Sequence, residues 1–245
     1  MKLNFLGTGS AFNPYLGNTS AFYEEGDKIL LIDCGSDVYR KIRFNNLLED
    51  KKEVYICITH THQDHVGSLA TLISWCSLVK GIKVYLLLPN DTTFMVPLLT
   101  LLSTGDVYLN ENYYILHDFT NLFMHIKDIE FFDVNHCVRI KSKGILFLLE
   151  NKKYVIYSGD CSYIKTVLNY SYKYKDFDME RAYIDCNISC LSKINSIQPH
   201  ELLSDITKSI QVDKRDLFYV MHYDSVECRE TAKQLGFNVV YSYYN

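Results

Sequence analysis

The stretch Thr59-His60-Thr61-His62-Gln63-Asp64-His65 decides the reading of this chain. It follows residues 54–58, a β-branched apolar run with the pattern of a buried strand. Three of the chain's eight histidines and one aspartate fall within six residues. Neutral imidazole and carboxylate are the donors that zinc and similar divalent ions prefer. His60 and His62, two positions apart, can bind one ion together on an extended or turning backbone. Asp64 and His65 sit on the following turn and can face a second ion. A polar loop capping the next helix, with Asp64 as N-cap, would not require three imidazoles.

A site for two ions needs more donors, also just after strands. Three candidates satisfy this: His136 after residues 129–134, Asp160 after 154–157, and His222 after 217–220. Other strands are expected at 2–6, 20–23, 28–32, 83–88, 144–149 and 182–185. Helices are expected at 38–48, 66–79, 92–102 and 199–210, the last with Pro199 near its first turn. Strands dominate each half and each half ends in helices, so the order predicts an α/β fold of two sheets sandwiched between helices. Residues 103–118 resist assignment and are expected to form a surface loop or lid. Four prolines and eleven glycines are spread thinly, which favours one compact domain over residues 1–245.

Composition narrows the function. In 245 residues, 48% are hydrophobic and 22% charged, close to globular averages, so whole-chain disorder and coiled coil are excluded. A net charge of −4 argues against a broad basic surface gripping nucleic acid by its phosphates. No apolar run approaches the roughly 20 residues of a membrane helix, and the first residues lack a signal-peptide pattern. Eight cysteines without a CxxC pair read as reduced thiols of a cytoplasmic protein. Gly7-Thr8-Gly9-Ser10 lacks the ending of a phosphate-cradling P-loop and reads as a tight turn.

The HxHxDH run His60 to His65, the single His136, Asp160 after Ser-Gly and the final His222 together resemble the metallo-β-lactamase fold superfamily. Asn4 to Ser10 and Leu31-Ile32-Asp33-Cys34-Gly35 are similar to its first strands. The resemblance implies an αββα sandwich of two mixed sheets flanked by helices. It implies two zinc ions per chain, or manganese in their place. His60, His62 and His136 would hold one, Asp64, His65 and His222 the other, with Asp160 bridging both. Asp33 resembles a support for the HxHxDH loop. β-Lactamases of this fold usually carry Cys where Asp160 stands, so Asp160 resembles the phosphodiesterase, nuclease and thioesterase side. Cys161, next in line, is expected to turn its side chain elsewhere.

Ribonuclease Z enzymes of this fold carry a His-Glu-Ala-Thr-like motif where this chain reads Tyr183-Ile184-Asp185-Cys186-Asn187. Asp185 is therefore either the catalytic acid, acting beside Asp64, or a buried structural carboxylate. His117 and His125 are expected at the surface, and His200 at a helix start. Only 23 residues (137–159) separate His136 from Asp160, too few for the protruding arm with which many ribonuclease Z proteins grip transfer RNA. The Arg-Asn element usual after the first strand of those enzymes is also missing from Asn13 to Asn18.

The chain is most similar to the anti-Pycsar proteins, phage and bacterial enzymes that hydrolyse cyclic nucleotides to disarm an immune signal. That resemblance implies a 3′,5′-cyclic nucleotide substrate opened to a nucleoside 5′-monophosphate. It also implies a homodimer and a place in the cytoplasm, the host's if the source is viral. Tyr108, Tyr113 and Tyr114 of the expected lid are candidates to stack on the base. The alternatives are a ribonuclease acting on RNA 3′ ends and a metal-binding interaction protein without catalysis; structured RNA is not the expected partner.

Overall fold

The computed structural model describes residues 1–188 and 199–244. Its first sheet runs, in spatial order, β1 (Asn4–Gly7), β2 (Ser20–Glu25), β3 (Lys28–Ile32), β4 (Glu53–Cys57), β5 (Lys83–Leu87) and β6 (Tyr114–Leu116). The second repeats the plan with β7 (Ile126–Val134), β8 (Ser142–Leu149), β9 (Lys153–Tyr157), β10 (Asp178–Asp185), β11 (Phe218–Met221) and β12 (Asn238–Val239). In each sheet the first three strands pair antiparallel and the remainder parallel. The expected two mixed sheets flanked by helices are therefore observed.

The parallel strands explain the apolar runs in the sequence. In β3, Leu30 and Ile32 belong to a core cluster shared with β8 and β9 of the other sheet. Ile29 and Leu31 belong to a second cluster, shared with α1 (Val38–Phe44), α3 (Leu69–Ser74) and α4 (Thr92–Thr104). A strand covered on both faces reads as continuous hydrophobicity rather than alternation. Each such Leu or Ile contributes about 1.5–3 kcal/mol by leaving water. This two-sided burial makes the sheets a firm base for the loops that leave the carboxyl ends of β3, β4, β9, β10 and β11.

Several local expectations are corrected. The helix expected over 66–79 is broken into α2 (Gln63–Val66), α3 and a π-helical turn, Trp75–Lys80. Gly67 marks the first break: a Cβ there would strike Ser36 Oγ and the Gln63 carbonyl. α4 begins where Asp91 accepts a hydrogen bond from Thr93 N at 3.0 Å, and it continues through Pro97 to Thr104. The segment expected as a lid is the end of α4, a turn and the edge strand β6. The helix expected from Pro199 starts later, as α6 (Leu203–Ser209). Two helices without a sequence forecast are α5 (Ile164–Ser171) and α7 (Val226–Gln234), the latter capped by Ser225, which accepts from Cys228 N at 3.1 Å. No helix of the described residues is long and apolar enough to cross a membrane.

Candidate active site

At the end of β4 the chain turns sharply, and the turn is tied to the end of β3. Asp33, fully buried and with a left-handed φ of 63°, accepts hydrogen bonds from Thr59 N at 2.7 Å and Thr59 Oγ1 at 2.8 Å. Its Oδ2 also lies 2.8 Å from His65 Nδ1. One carboxylate thereby fixes both ends of the HxHxDH turn. Burial raises the pKa of Asp33, opposed by His65 and the two Thr59 bonds.

All seven donors singled out in the sequence converge. His60, His62, His136 and Asp160 form one group whose candidate ligand atoms lie within 4.8 Å of one another; Asp64, His65, Asp160 and His222 form a second. Asp160 divides its oxygens between them. Oδ2 lies 3.7 Å from His60 Nε2 and 3.6 Å from His136 Nε2, while Oδ1 lies 3.3 Å from His65 Nε2 and 3.4 Å from His222 Nε2. Asp64 Oδ2 faces the second group, 3.3 Å from His65 Nε2 and 3.4 Å from His222 Nε2. The tight turn expected at Gly7 to Ser10 lies beside His222, since Tyr223 N donates to Thr8 O and Ser10 N to Tyr223 O.

The chemistry of these groups fits divalent cations. Four of the five inward-facing histidines have an oxygen near their other ring nitrogen: Thr59 Oγ1 behind His60 at 3.1 Å, Asp33 behind His65, Pro199 O behind His136 at 2.7 Å, and Asp185 behind His222 at 3.3 Å. Such partners assign the proton to the outer nitrogen and turn the lone pair inward, as metal-ligating histidines require. His60 Nε2 and His136 Nε2 then both meet His62 Nδ1, at 2.9 and 3.1 Å, an arrangement whose lone pairs a cation satisfies. Buried His65 Nε2 has no hydrogen-bond partner among the described residues.

The groups differ electrostatically. Burial lowers the pKa of His60 and His62 and takes His136 down to about 4, keeping this triad neutral. At Asp160 burial acts to raise the pKa but is outweighed by His222 and His65, so the carboxylate stays ionised. Burial acts to lower His65 and His222, and is outweighed by Asp160 with Asp33 and Asp185 respectively. His222 also adopts a left-handed φ of 59°, local strain of the kind that accumulates at functional sites.

Asp185, either acid or structural carboxylate in the sequence reading, sits behind two histidines. It is fully enclosed, accepts from Cys161 N at 3.0 Å, and lies 2.7 Å from His200 Nδ1. Burial acts to raise its pKa, but His200 and His222 outweigh it and hold it below the ordinary carboxylate value. The structure instead brings His200 to the site, which the sequence placed only at a helix start. Its ring stacks on His222 at 4.8 Å and packs against His136 at 4.9 Å, and its side chain is 23% exposed. Burial acts to lower the His200 pKa, but Asp185 and Asp160 raise it above the ordinary histidine value. The signal in the sequence was weak: one histidine before a helix, its carboxylate partner fifteen positions earlier.

One of the three lid tyrosines is corrected, while Tyr108 and Tyr114 are exposed. Tyr113 is buried in the core beside α4, so no base can stack on it. Tyr114 packs on Tyr85 of β5, 5.7 Å between ring centres, at the edge of the first sheet. Tyr108 lies in the turn between α4 and β6, where its N–H donates to Asn112 Oδ1. Cys161 points away from the donors, its Sγ 3.3 Å from Tyr163 O.

Comparison with known proteins agrees with this geometry. The fold is similar to that of the metallo-β-lactamase fold protein YhfI from Bacillus subtilis, with a TM-score of 0.71 at 16% identity over 98% of this chain and 95% of that one. Human tRNase Z, short form, aligns with a TM-score of 0.68 at 16% identity over 99% of this chain and 97% of its own. An anti-Pycsar protein Apyc1 from Bacillus phage 010DV004 is 40% identical over 92 residues, which are 37% of this chain and 35% of that relative. The sequence profile of the family described as anti-Pycsar protein Apyc1 matches residues 1–241, and the chain belongs to that family.

Proposed function

We propose that this protein is a metal-dependent phosphodiesterase that hydrolyses 3′,5′-cyclic nucleotides to nucleoside 5′-monophosphates. The division of the Asp160 oxygens between two complete donor groups carries the reading. His60, His62, His136 and Asp160 would hold one divalent ion and Asp64, His65, His222 and Asp160 the other, zinc being the metal this donor set suits. When bound, paired ions lower the pKa of a shared water toward about 7 and offset charge on phosphoryl oxygens.

The remaining work falls to side chains of this chain. Asp33, hydrogen-bonded to His65, and Asp185, 3.3 Å from His222, would hold the two rings with Nε2 inward. His200 keeps its Nδ1 proton on Asp185 and would pass a second proton, from Nε2, to the ribose 3′ oxygen as it leaves. Membership of the anti-Pycsar family supports a cyclic nucleotide as substrate and a role against cyclic-nucleotide immune signalling in a host cytoplasm. A homodimer belongs to the same reading. Incubation of purified protein with 3′,5′-cyclic CMP, UMP, AMP and GMP, followed by separation of products, tests it. Nucleoside 5′-monophosphates are the expected products.

A further inference from the structure

Beside the donor groups lies a cleft of about 570 Å³, within the range of small-molecule sites. His136 belongs both to the first donor group and to the wall of this cleft. The rest of the wall is the turn between β7 and β8, with Asn135, Val138 and Arg139, the first residue of β8, Ser142, and Tyr163 at the entry to α5.

The wall is firmly joined to the metal-binding turn. Lys143, next to Ser142, donates from its backbone N to Thr59 O at 2.9 Å. Its buried ammonium is held by Asp91 and Asp133, each at 2.7 Å. Ser162 N donates to Asn135 O at 2.6 Å, and Ser162 Oγ to Pro199 O at 3.0 Å. The cleft is therefore fixed relative to His136 and Asp160.

Its lining leaves polar and apolar capacity unused. Asn135 and Arg139 are exposed on the wall of the cleft. Val138 is 80% and Tyr163 54% exposed, unusual for an apolar and an aromatic side chain facing the same cavity. Arg139 makes no ion pair among the described residues. A flat ring with polar edges suits this lining: aromatic and aliphatic faces for its planes, and an amide and a guanidinium for its edges.

Resting on the phosphodiesterase reading, we propose that this cleft is the nucleobase subsite, with the phosphoryl group at the His136 end and the base against Tyr163. The Asn135 amide carries both donors and an acceptor, so it can pair with the edge of any base. The cleft accordingly selects a nucleobase over no base far more than one base over another. Tyr163 takes the stacking role that buried Tyr113 cannot.

The test is isothermal titration of the purified, metal-containing protein with AMP, CMP and inorganic phosphate, with Tyr163→Ala, Tyr163→Phe and Arg139→Ala measured alongside. Loss of a base stack predicts that Tyr163→Ala weakens both nucleotides by about 5- to 100-fold. Phosphate affinity should hold, and Tyr163→Phe should bind nucleotides like the unaltered protein. Arg139→Ala should also weaken the nucleotides more than phosphate. The proposal is overturned if the unaltered protein binds nucleotides no more tightly than phosphate, or if Tyr163→Ala leaves nucleotide affinity intact or lowers both ligands equally. Should the protein open no cyclic nucleotide, the phosphodiesterase reading fails, while the ratio of nucleotide to phosphate affinity still decides the cleft.

Discussion

Asp185 Oδ2 accepts a hydrogen bond from His200 Nδ1 at 2.7 Å, while its other oxygen lies 3.3 Å from Nδ1 of His222. One buried carboxylate thus orients two imidazoles on opposite sides of a functional divide: His222 faces Asp64 and Asp160 among the donors, whereas His200 retains access to solvent.

If His200 supplies the proton to the leaving oxygen, His200→Ala lowers kcat by about 100- to 10,000-fold and leaves metal content unchanged. Elemental analysis and steady-state kinetics on one preparation separate these effects. A parallel loss of metal would assign His200 to the ligands instead.

Asp33 acts on the metal groups only through Thr59 and His65. Asp33→Asn should therefore weaken metal retention by about 10- to 100-fold, as loss of such an orienting partner usually does. Dialysis against graded chelator followed by elemental analysis measures it; retention equal to the unaltered protein contradicts the role.

Asp64 faces only the second group. Asp64→Ala should remove one bound ion, abolish turnover and preserve the fold, because His60, His62, His136 and Asp160 remain. Metal content, turnover and circular dichroism together read the outcome; a rate above about a tenth of the original would fall short even of the usual loss from a partner behind the ligands.

Glu201 offers a pH test away from the donors. Burial raises its pKa to about 7, while the bond from Ile164 N lowers it. A carboxyl with a raised folded-state pKa favours the folded state in its protonated form. Its contribution is complete below the ordinary Glu value of about 4.3 and is lost as pH climbs through about 7. Glu201→Gln should therefore raise Tm at pH 8 and bring little change at pH 4. Thermal unfolding at the two values checks the sign.

The sequence reveals ligands more readily than their supports. The seven donors were legible because imidazoles and carboxylates crowd after apolar strands, and β4, β9 and β11 do end beside them. The pairing of Asp185 with His200 was not, because it depends on a 2.7 Å contact between segments brought together only in the fold. Tyr113 misled because a tyrosine within a polar stretch looks exposed, whereas the turn after α4 folds it into the core. The break at Gly67 escaped because apolar spacing continues across it; the crowding by Ser36 is a tertiary fact.

The central claim is that the two donor groups joined by Asp160 open a cyclic phosphodiester rather than cleave structured RNA. The most direct measurement is kcat/KM for 3′,5′-cyclic mononucleotides against precursor transfer RNA, at one moderate salt concentration and with the same metal-loaded protein. The account predicts efficient opening of the cyclic nucleotides to 5′-monophosphates and little or no cleavage of the RNA. A higher kcat/KM on precursor transfer RNA would contradict it.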